Sequence, residues 1–485
     1  MTSISNTDPT SLDVVKARRL NQHVGAIIAS LGGFAFGATL GWNSSASDTM
    51  RNILNATGTE IGLIGALINA GAFLGALIVP WLLLYVSRTG AMYGTIPSLI
   101  IGWTFICCAG QKVWLLMVGR TICGCAGGVF CVITPIYIAE IAEKDIRDRL
   151  LTFFQLLLNC GIMYSYVIAH VINENSTIWK YSLSCAGSCA LIALVNLIPE
   201  SPLYHLGNNN ENSARVAMQW YRGDHYNYEL EMEEWRRLAI IDQSEKKFTC
   251  RFFSNRKVLR SFLACFAVIV TQQLSGINTM IFYALTLFSV GGSGELTASE
   301  QCLVVGAMQI ASCFLASLLI GTVGRRTLLI ASAFLMGLCL ILLGWFFKVR
   351  EQDPEYDDVY SWMPPAWFTL FFASYNLGVG PVSWAILGDN FPMEVRLKAA
   401  SAAAAFSWLV SLIATMTFGE MLDALGIPKT MWVFAAFCWV GAIFCGIIVT
   451  ENNGKSLADI QTDFGIDAEP EPATQVPVVS VREET

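Results

Sequence analysis

Long apolar runs broken by short polar stretches recur along the 485-residue chain, at 24–44, 61–85, 91–110, 113–138, 150–172, 178–199, 259–288, 299–322, 326–347, 363–387, 398–421 and 429–449. Each can cross the roughly 30 Å hydrocarbon layer of a bilayer as a helix. The pattern predicts an all-α membrane protein with twelve transmembrane helices. A polar segment, 200–258, divides them six and six, as in two halves of one unit. The expected order is an N-terminal tail (1–23), a six-helix bundle (24–199), a central loop with short helices (200–258), a second six-helix bundle (259–449) and a disordered tail (450–485).

Composition supports this reading. Hydrophobic residues make up 54% of the chain and charged ones 14%, and the mean hydropathy is +0.53, too apolar for an ordinary soluble protein. Lys16, Arg18 and Arg19 precede the first run, and Arg147, Arg149, the basic residues of the central loop, Arg325, Arg326, Arg396 and Lys398 fall on the same side. The positive-inside rule makes that side, with both termini, cytoplasmic, and the plasma membrane is the expected location. The first residues are too polar for a cleaved signal peptide, so the first span itself directs insertion. "NSS" at 43–45, "NAT" at 55–57 and "NST" at 175–177 lie in opposite loops and fit glycosylation acceptors. The tail after 450 is acidic and Pro-containing and accounts for part of the net charge of −7.

The chemistry-bearing residues exclude some classes. The 15 cysteines have no metal or paired spacing and sit mostly within apolar runs, as small packing residues. No Ser/His/Asp set, metal-ligand cluster or phosphate loop is visible, and the four histidines are scattered, so neither an enzyme nor a cofactor is expected. His23 and His170 lie near span boundaries, where an interfacial role outweighs proton relay.

Charges repeat between the halves. "AEIAEKDIR" places Glu140 seven residues before Arg147, and "GDNFPMEVR" places Asp389 seven residues before Arg396, each after the fourth span of its half. "GTVGRRTLLI" adds Arg325 and Arg326 between spans eight and nine. Recurrence at equal spacing favours a joint role over separate solvated charges at the membrane edge.

The remaining signal is amides where lipid forbids them. Gln272, Gln273 and Asn278 in "TQQLSGIN" lie within a span, where exposure to lipid would leave several polar groups unsatisfied. On a continuous helix one broad face holds all three, and Gly276 thins the wall between them. Such clusters also serve as interhelical hydrogen-bond glue. Gln155 in span five, Gln309 in span eight and Tyr375, Asn376 and Trp384 in span ten extend the set and favour a shared cavity. Uncharged amides that donate and accept, next to aromatic faces, suit a neutral polyhydroxylated ligand, a sugar. An ion or an amino acid would call for buried charge, of which the spans offer little.

With "PIYIAEIAEKDIR", "PESPLYHL" at 199–206, "VGRR" at 323–326 and "GVGPVSW" at 378–384, these residues resemble the sugar porters of the major facilitator superfamily, especially animal facilitative hexose carriers and insect facilitated trehalose transporters, over roughly residues 25–460. The resemblance implies two six-helix bundles around a central site opened alternately to either side, and a hexose or trehalose as cargo. It implies sugar contacts at Gln155, Gln272, Gln273 and Asn278, with Gln309 where animal carriers have Asn, and stacking on Trp384. It also implies an aromatic outer gate at Tyr283, a span-four arginine at Arg120, and an inner charge lock made by Glu140, Arg147, Arg325, Asp389 and Arg396. The expected partners are the sugar and the bilayer, without nucleic acid or an obligate protein partner.

The chain also departs from the family pattern. After span two it has only "YVSRTGAMYG", which puts the register of Arg88 and the first half's inner lock in question. Gly321 replaces an acid, Asn376 a Glu and Ser383 a proline, the last predicting a stiffer gate. "TENNGKSL" at 450–457 lacks the family's proline. Proton-coupled members carry an acid in span one, whereas this chain has Thr39 and no Asp or Glu from 24 to 44, so uniport is expected. A non-transporting sugar sensor and a proton-coupled symporter are the alternatives.

Overall fold

The computed structural model describes residues 17–54, 57–110, 112–172, 178–244, 256–282, 297–353, 360, 362–393, 395–449, 451, 459 and 462. Among them, 11 helices are long and apolar enough to cross a membrane. Ten are single crossings: spans 1 to 6 at Arg19–Ser47, Glu60–Tyr85, Arg88–Cys107, Val113–Ile141, Lys144–Val171 and Trp179–Leu197, and spans 7 to 10 at Arg256–Phe282, Ala298–Val323, Arg325–Gln352 and Met363–Asp389. The eleventh runs 53 residues, Arg396–Ile448, with Gly426 at φ 77 inside it. That left-handed backbone, followed by Pro428, turns the chain and makes two crossings, spans 11 and 12. The expected ends at 421 and 429 bracket the turn, so the twelve-span reading holds.

The two halves start their second spans alike. Thr57 and Glu60 form a capping box on span 2, and Thr297 and Glu300 form the same box on span 8. In each, the threonine oxygen accepts from the glutamate N–H while the carboxylate accepts from the threonine N–H at 2.8 Å.

Packing within the first half depends on glycine. Gly71 and Gly75 on span 2 face Gly124 and Gly128 on span 4, four residues apart on each helix. A Cβ at any of them would overlap backbone of the opposite helix. Outward faces carry large apolar side chains such as Leu74, Phe314, Leu315, Ile443 and Phe444, at the surface where lipid replaces water. Among the described residues the cysteines are free, in agreement with packing roles.

The halves meet along spans 2 and 11 and along spans 5 and 8, with the second part of span 10 against span 4 and the upper part of span 7 against span 1. On one face lie three short helices, Pro202–Gly207, Glu211–Arg222 and Glu229–Ser244. They form a small core around Leu203, Met218, Met232 and Trp235, into which Met393 from the segment after span 10 inserts. Arg222 ties them to the end of span 4, donating to the Ile141 carbonyl at 2.7 Å and pairing with Glu231. This is called the loop face below.

One expectation fails. Asn43 of "NSS" lies inside the first membrane helix, Leu31–Leu54, and is 2% exposed. The apolar run was ended at 44 on composition, but the helix continues, so Asn43 cannot be a glycosylation acceptor. Asn55 and Asn175 lie outside the described residues.

Substituting Gly128→Leu should cost about 1–3 kcal/mol by overpacking the span 2 and span 4 contact. Gly94→Ala, whose Cβ would meet nothing within 4 Å, should be neutral. Thermal unfolding in detergent should separate the two; equal behaviour would show that the helices yield without strain.

Candidate functional site

Helix breaks position the amides. Span 7 runs Arg256–Leu274, breaks at Gly276 (φ 80), and resumes at Ile277–Phe282. Gln272, Gln273 and Asn278 therefore converge across a kink rather than along one face of a continuous helix, which corrects the expectation. Glycine is needed at 276 for the left-handed backbone and because the Phe434 ring closes on it. Span 10 breaks at Gly378, just past Tyr375 and Asn376, and resumes as Val379–Asp389. The bend exists without the proline missing at Ser383, whose hydroxyl donates to the Val379 carbonyl at 2.5 Å.

Gln155, Gln272, Gln273, Asn278, Gln309, Tyr375, Asn376 and Trp384 all line one cavity between the halves. Sequence reading missed two further polar lining residues, Asn159 and Trp408. Asn159 had a local signal, standing four residues after Gln155 in "QLLLN", one helical turn along the same face. Trp408 had none.

The amides form two groups. In the first, Gln272 donates to the Tyr375 hydroxyl at 2.9 Å, Gln273 to Ser407 at 2.7 Å, and Asn278 to Gln273 and Ser411 at 2.7 and 2.8 Å. All of these residues belong to the second half. The second group crosses between halves. Asn376 Oδ1 accepts from Asn159 at 2.7 Å and from Gln155 at 3.2 Å, Trp384 donates its indole N–H to Gln155 at 2.8 Å, and Asn159 also approaches the Gln309 carbonyl at 3.4 Å.

Trp384 and Trp408 stack with centroids 6.3 Å apart. Two buried donors that reach this region, Gln309 Nε2 and Trp408 Nε1, have no hydrogen-bond partner among the described residues. The cavity measures only about 20 Å³, room for about one water. The site is contracted, its amides paired largely with one another.

At the loop face the charges pair across the halves. Arg325 holds Asp389 with two bonds, 2.8 and 2.7 Å, and reaches Asp148 of the first half at 2.5 Å. Glu140 lies between Arg88 of its own half at 3.4 Å and Arg396 of the other at 3.9 Å. Arg147 is buried with Asp389 and Asp148 within electrostatic reach. The repeated spacing thus does not make Glu140 and Arg147, or Asp389 and Arg396, partners of each other; the pairs run between helices. Asp148 was missed, hidden among the charges of "EKDIRDR". Arg88, whose register the shortened motif left in question, pairs with Glu140 and lies over the Tyr204 ring at 5.2 Å.

Two carboxylates brace this face symmetrically. Glu200, after span 6, accepts from Thr89 N–H at 2.9 Å and its hydroxyl at 2.7 Å at the start of span 3. Glu451, after span 12, accepts from the N–H groups of Arg325 and Arg326 at 3.1 and 3.2 Å at the start of span 9. Each satisfies donors that a helix N-terminus leaves open.

Arg120 takes no part in this network. It is fully buried within the first half, donates to the carbonyls of Thr39 and Ile64, and lies 5.5 Å from the Trp42 ring centroid. Tyr283 lies outside the described residues. His23 and His170 are at the edges, near the Arg19 carbonyl (2.8 Å) and the Ser299 hydroxyl (3.4 Å).

A family model described as "Sugar (and other) transporter" matches residues 25–464. The chain belongs to this family. The facilitated trehalose transporter Tret1 of Bombyx mori is 30% identical over 445 residues, 91% of this chain and 86% of that protein. Tret1 of Culex quinquefasciatus is 29% identical over 466 residues, 95% and 89% of the two chains. The proton:xylose symporter XylE bound to 6-bromo-6-deoxy-D-glucose superimposes with a TM-score of 0.79 at 20% identity, covering 92% of this chain and 100% of that one. The inward open conformation of XylE from E. coli gives 0.67 at 21%, covering 90% and 98%. These likenesses identify the major facilitator fold of an integral membrane protein.

Removing Arg325 breaks its buried pairs with Asp389 in its own half and with Asp148 in the other, a loss of about 3–5 kcal/mol for a buried pair, and the Asp148 part falls on the contact between halves. In a background without native cysteines, Ser383→Cys, buried at 1% exposure on span 10, should react severalfold faster with a membrane-impermeant thiol reagent from the loop face when Arg325→Ala is added. An unchanged rate would mean that the closure rests on other contacts.

Proposed function

We propose that the protein is a facilitative carrier, a uniporter, of a neutral sugar, a hexose or trehalose, working by alternating access in the plasma membrane with both termini in the cytoplasm. The observation that carries this reading is a cavity at the interface of two halves whose polar lining, among the described residues, is amides, a phenol and two indoles without a carboxylate, guanidinium, amine or imidazole. Amides can accept and donate toward hydroxyls, and the faces of Trp384 and Trp408 can cover the C–H side of a pyranose. The buried donors Gln309 Nε2 and Trp408 Nε1 are positions where ligand oxygens would recover lost hydrogen bonds.

Small-molecule pockets run to about 300–1,000 Å³, so the contracted cavity has to widen to admit a sugar. The contacts that hold it shut run between the halves: Asn159 and Gln155 to Asn376 inside, Arg325 to Asp148 and Arg396 to Glu140 at the loop face. In this reading those charges are the cytoplasmic gate, and the bundles 24–199 and 259–449 rock about the site with the central helices as a brace. The Tret1 relatives are named as facilitated trehalose transporters, which supports uniport and the choice of substrate class.

Thr39 supports uniport independently. Its hydroxyl donates to the Ala35 carbonyl at 2.9 Å, and its own carbonyl receives Arg120, so the contacts of that arginine are to neutral oxygens and an indole rather than to an acid.

Gln273→Leu should raise the KM for sugar about 2–10-fold, the worth of one net hydrogen bond, with surface expression near wild type. Normal uptake kinetics would remove Gln273 from the binding set.

In sealed vesicles containing the purified protein, radiolabelled glucose or trehalose should equilibrate to the external concentration, and an imposed pH gradient should leave that end point unchanged, because the cavity holds no group that titrates near neutrality. Accumulation that collapses with a protonophore would establish symport instead.

A further inference from the structure

Asn159 is the unplanned member of the cavity. It stands on span 5 among leucines, is 1% exposed, and has three amide neighbours. It accepts from Gln155 at 3.1 Å, donates to Asn376 at 2.7 Å, and approaches the Gln309 carbonyl at 3.4 Å. These contacts bring one corner of the cavity together from both halves, with Gln155 and Asn159 on one side and Gln309 and Asn376 on the other. The same corner contains an amide N–H₂ with no partner, Gln309 Nε2. The corner is therefore underfilled in its contracted form. One donor is idle, while Asn376 Oδ1 takes two donors from the other half.

Widening the cavity must break the bond from Asn159 to Asn376, because the two residues sit on opposite halves. Asn159 Nδ2 and Asn376 Oδ1 would then be buried polar atoms that have lost their partners across the halves, which is unfavourable. A ligand with neighbouring hydroxyls removes that cost, with one hydroxyl accepting from Asn159 while another accepts from Gln309. The alternative role for Asn159 is that of a clasp, which holds the halves together and never touches the ligand. The two roles differ in what they do to selectivity. A clasp changes the energy of opening equally for every sugar, whereas a ligand contact acts on one hydroxyl.

We propose that Asn159 is a specificity-determining residue that exchanges its hydrogen bond to Asn376 for one to a single sugar hydroxyl. The proposal rests on the sugar-carrier reading above and adds a contact to it.

The test is a cycle between protein and ligand. Wild type and Asn159→Ala, each reconstituted in vesicles, are assayed with whichever of radiolabelled glucose or trehalose the wild type carries, in competition with each monodeoxy analogue of that sugar. In the wild type one analogue should bind about tenfold more weakly through loss of the hydroxyl that Asn159 reads. In Asn159→Ala that one penalty should fall below about threefold, while the penalties for the other analogues persist. Asn159→Ser, which keeps a short donor and acceptor, should retain an intermediate penalty at the same position and serves as the test if the alanine variant does not fold. If every deoxy penalty is the same in variant and wild type, the proposal is overturned and Asn159 is a clasp alone. If the wild type carries neither sugar, the carrier reading fails first, and that outcome is visible before any variant is compared.

Discussion

A polar group inside a bilayer needs a partner at every stage of a conformational cycle, because lipid offers none. The rest of the structure depends on that constraint. Most amides that could hold a hydroxylated ligand do not wait for it unpaired: in the contracted cavity Asn159 and Gln155 pair with Asn376, Gln272 with Tyr375, and Gln273 with Asn278 and Ser407, and Gln309 Nε2 is the exception. Binding then becomes an exchange of partners with a small net energy. That suits a carrier, which must release its cargo as readily as it takes it.

The loop face applies the same logic to charge. Asp148, Arg325 and Asp389 are each nearly buried; Arg325 keeps Asp389 within the second half, but Asp148 has Arg325 only while the halves touch. Buried ion pairs add little net stability, but they are costly to break one partner at a time. They therefore favour a discrete closed arrangement over a gradual one. Glu200 and Glu451 work differently. They brace spans 3 and 9 within their own halves and keep each half a rigid body while the pairs between them exchange.

Much of this was legible in the chain. Twelve apolar runs gave twelve crossings, because length and hydropathy are local properties. The amides of spans 5, 7, 8 and 10 could be gathered into one cavity from the single rule that lipid excludes them. What escaped was set by contacts distant in sequence or by backbone geometry. Asn159 looked like one polar residue among leucines, and only its bond to Asn376, 217 residues away, marks it. Asp148 and Arg325 are 177 residues apart, so equal spacing within each half indicated a joint role but not which charges pair. The break at Gly276 was read as thinness rather than a turn, since glycine permits both. Asn43 was misplaced because composition signals the end of an apolar run, whereas a helix can carry polar residues further if they face protein.

The two amide groups differ in whom they belong to. Among the described residues, the cluster on span 7 is bonded within the second half, while the first half reaches the cavity with two amides, both on span 5. A ligand gripped by the larger set keeps its frame of reference there as the halves rock. On the proposed reading the cargo would be a passenger of the second bundle, nearly still with respect to it, and the first bundle the door that swings past.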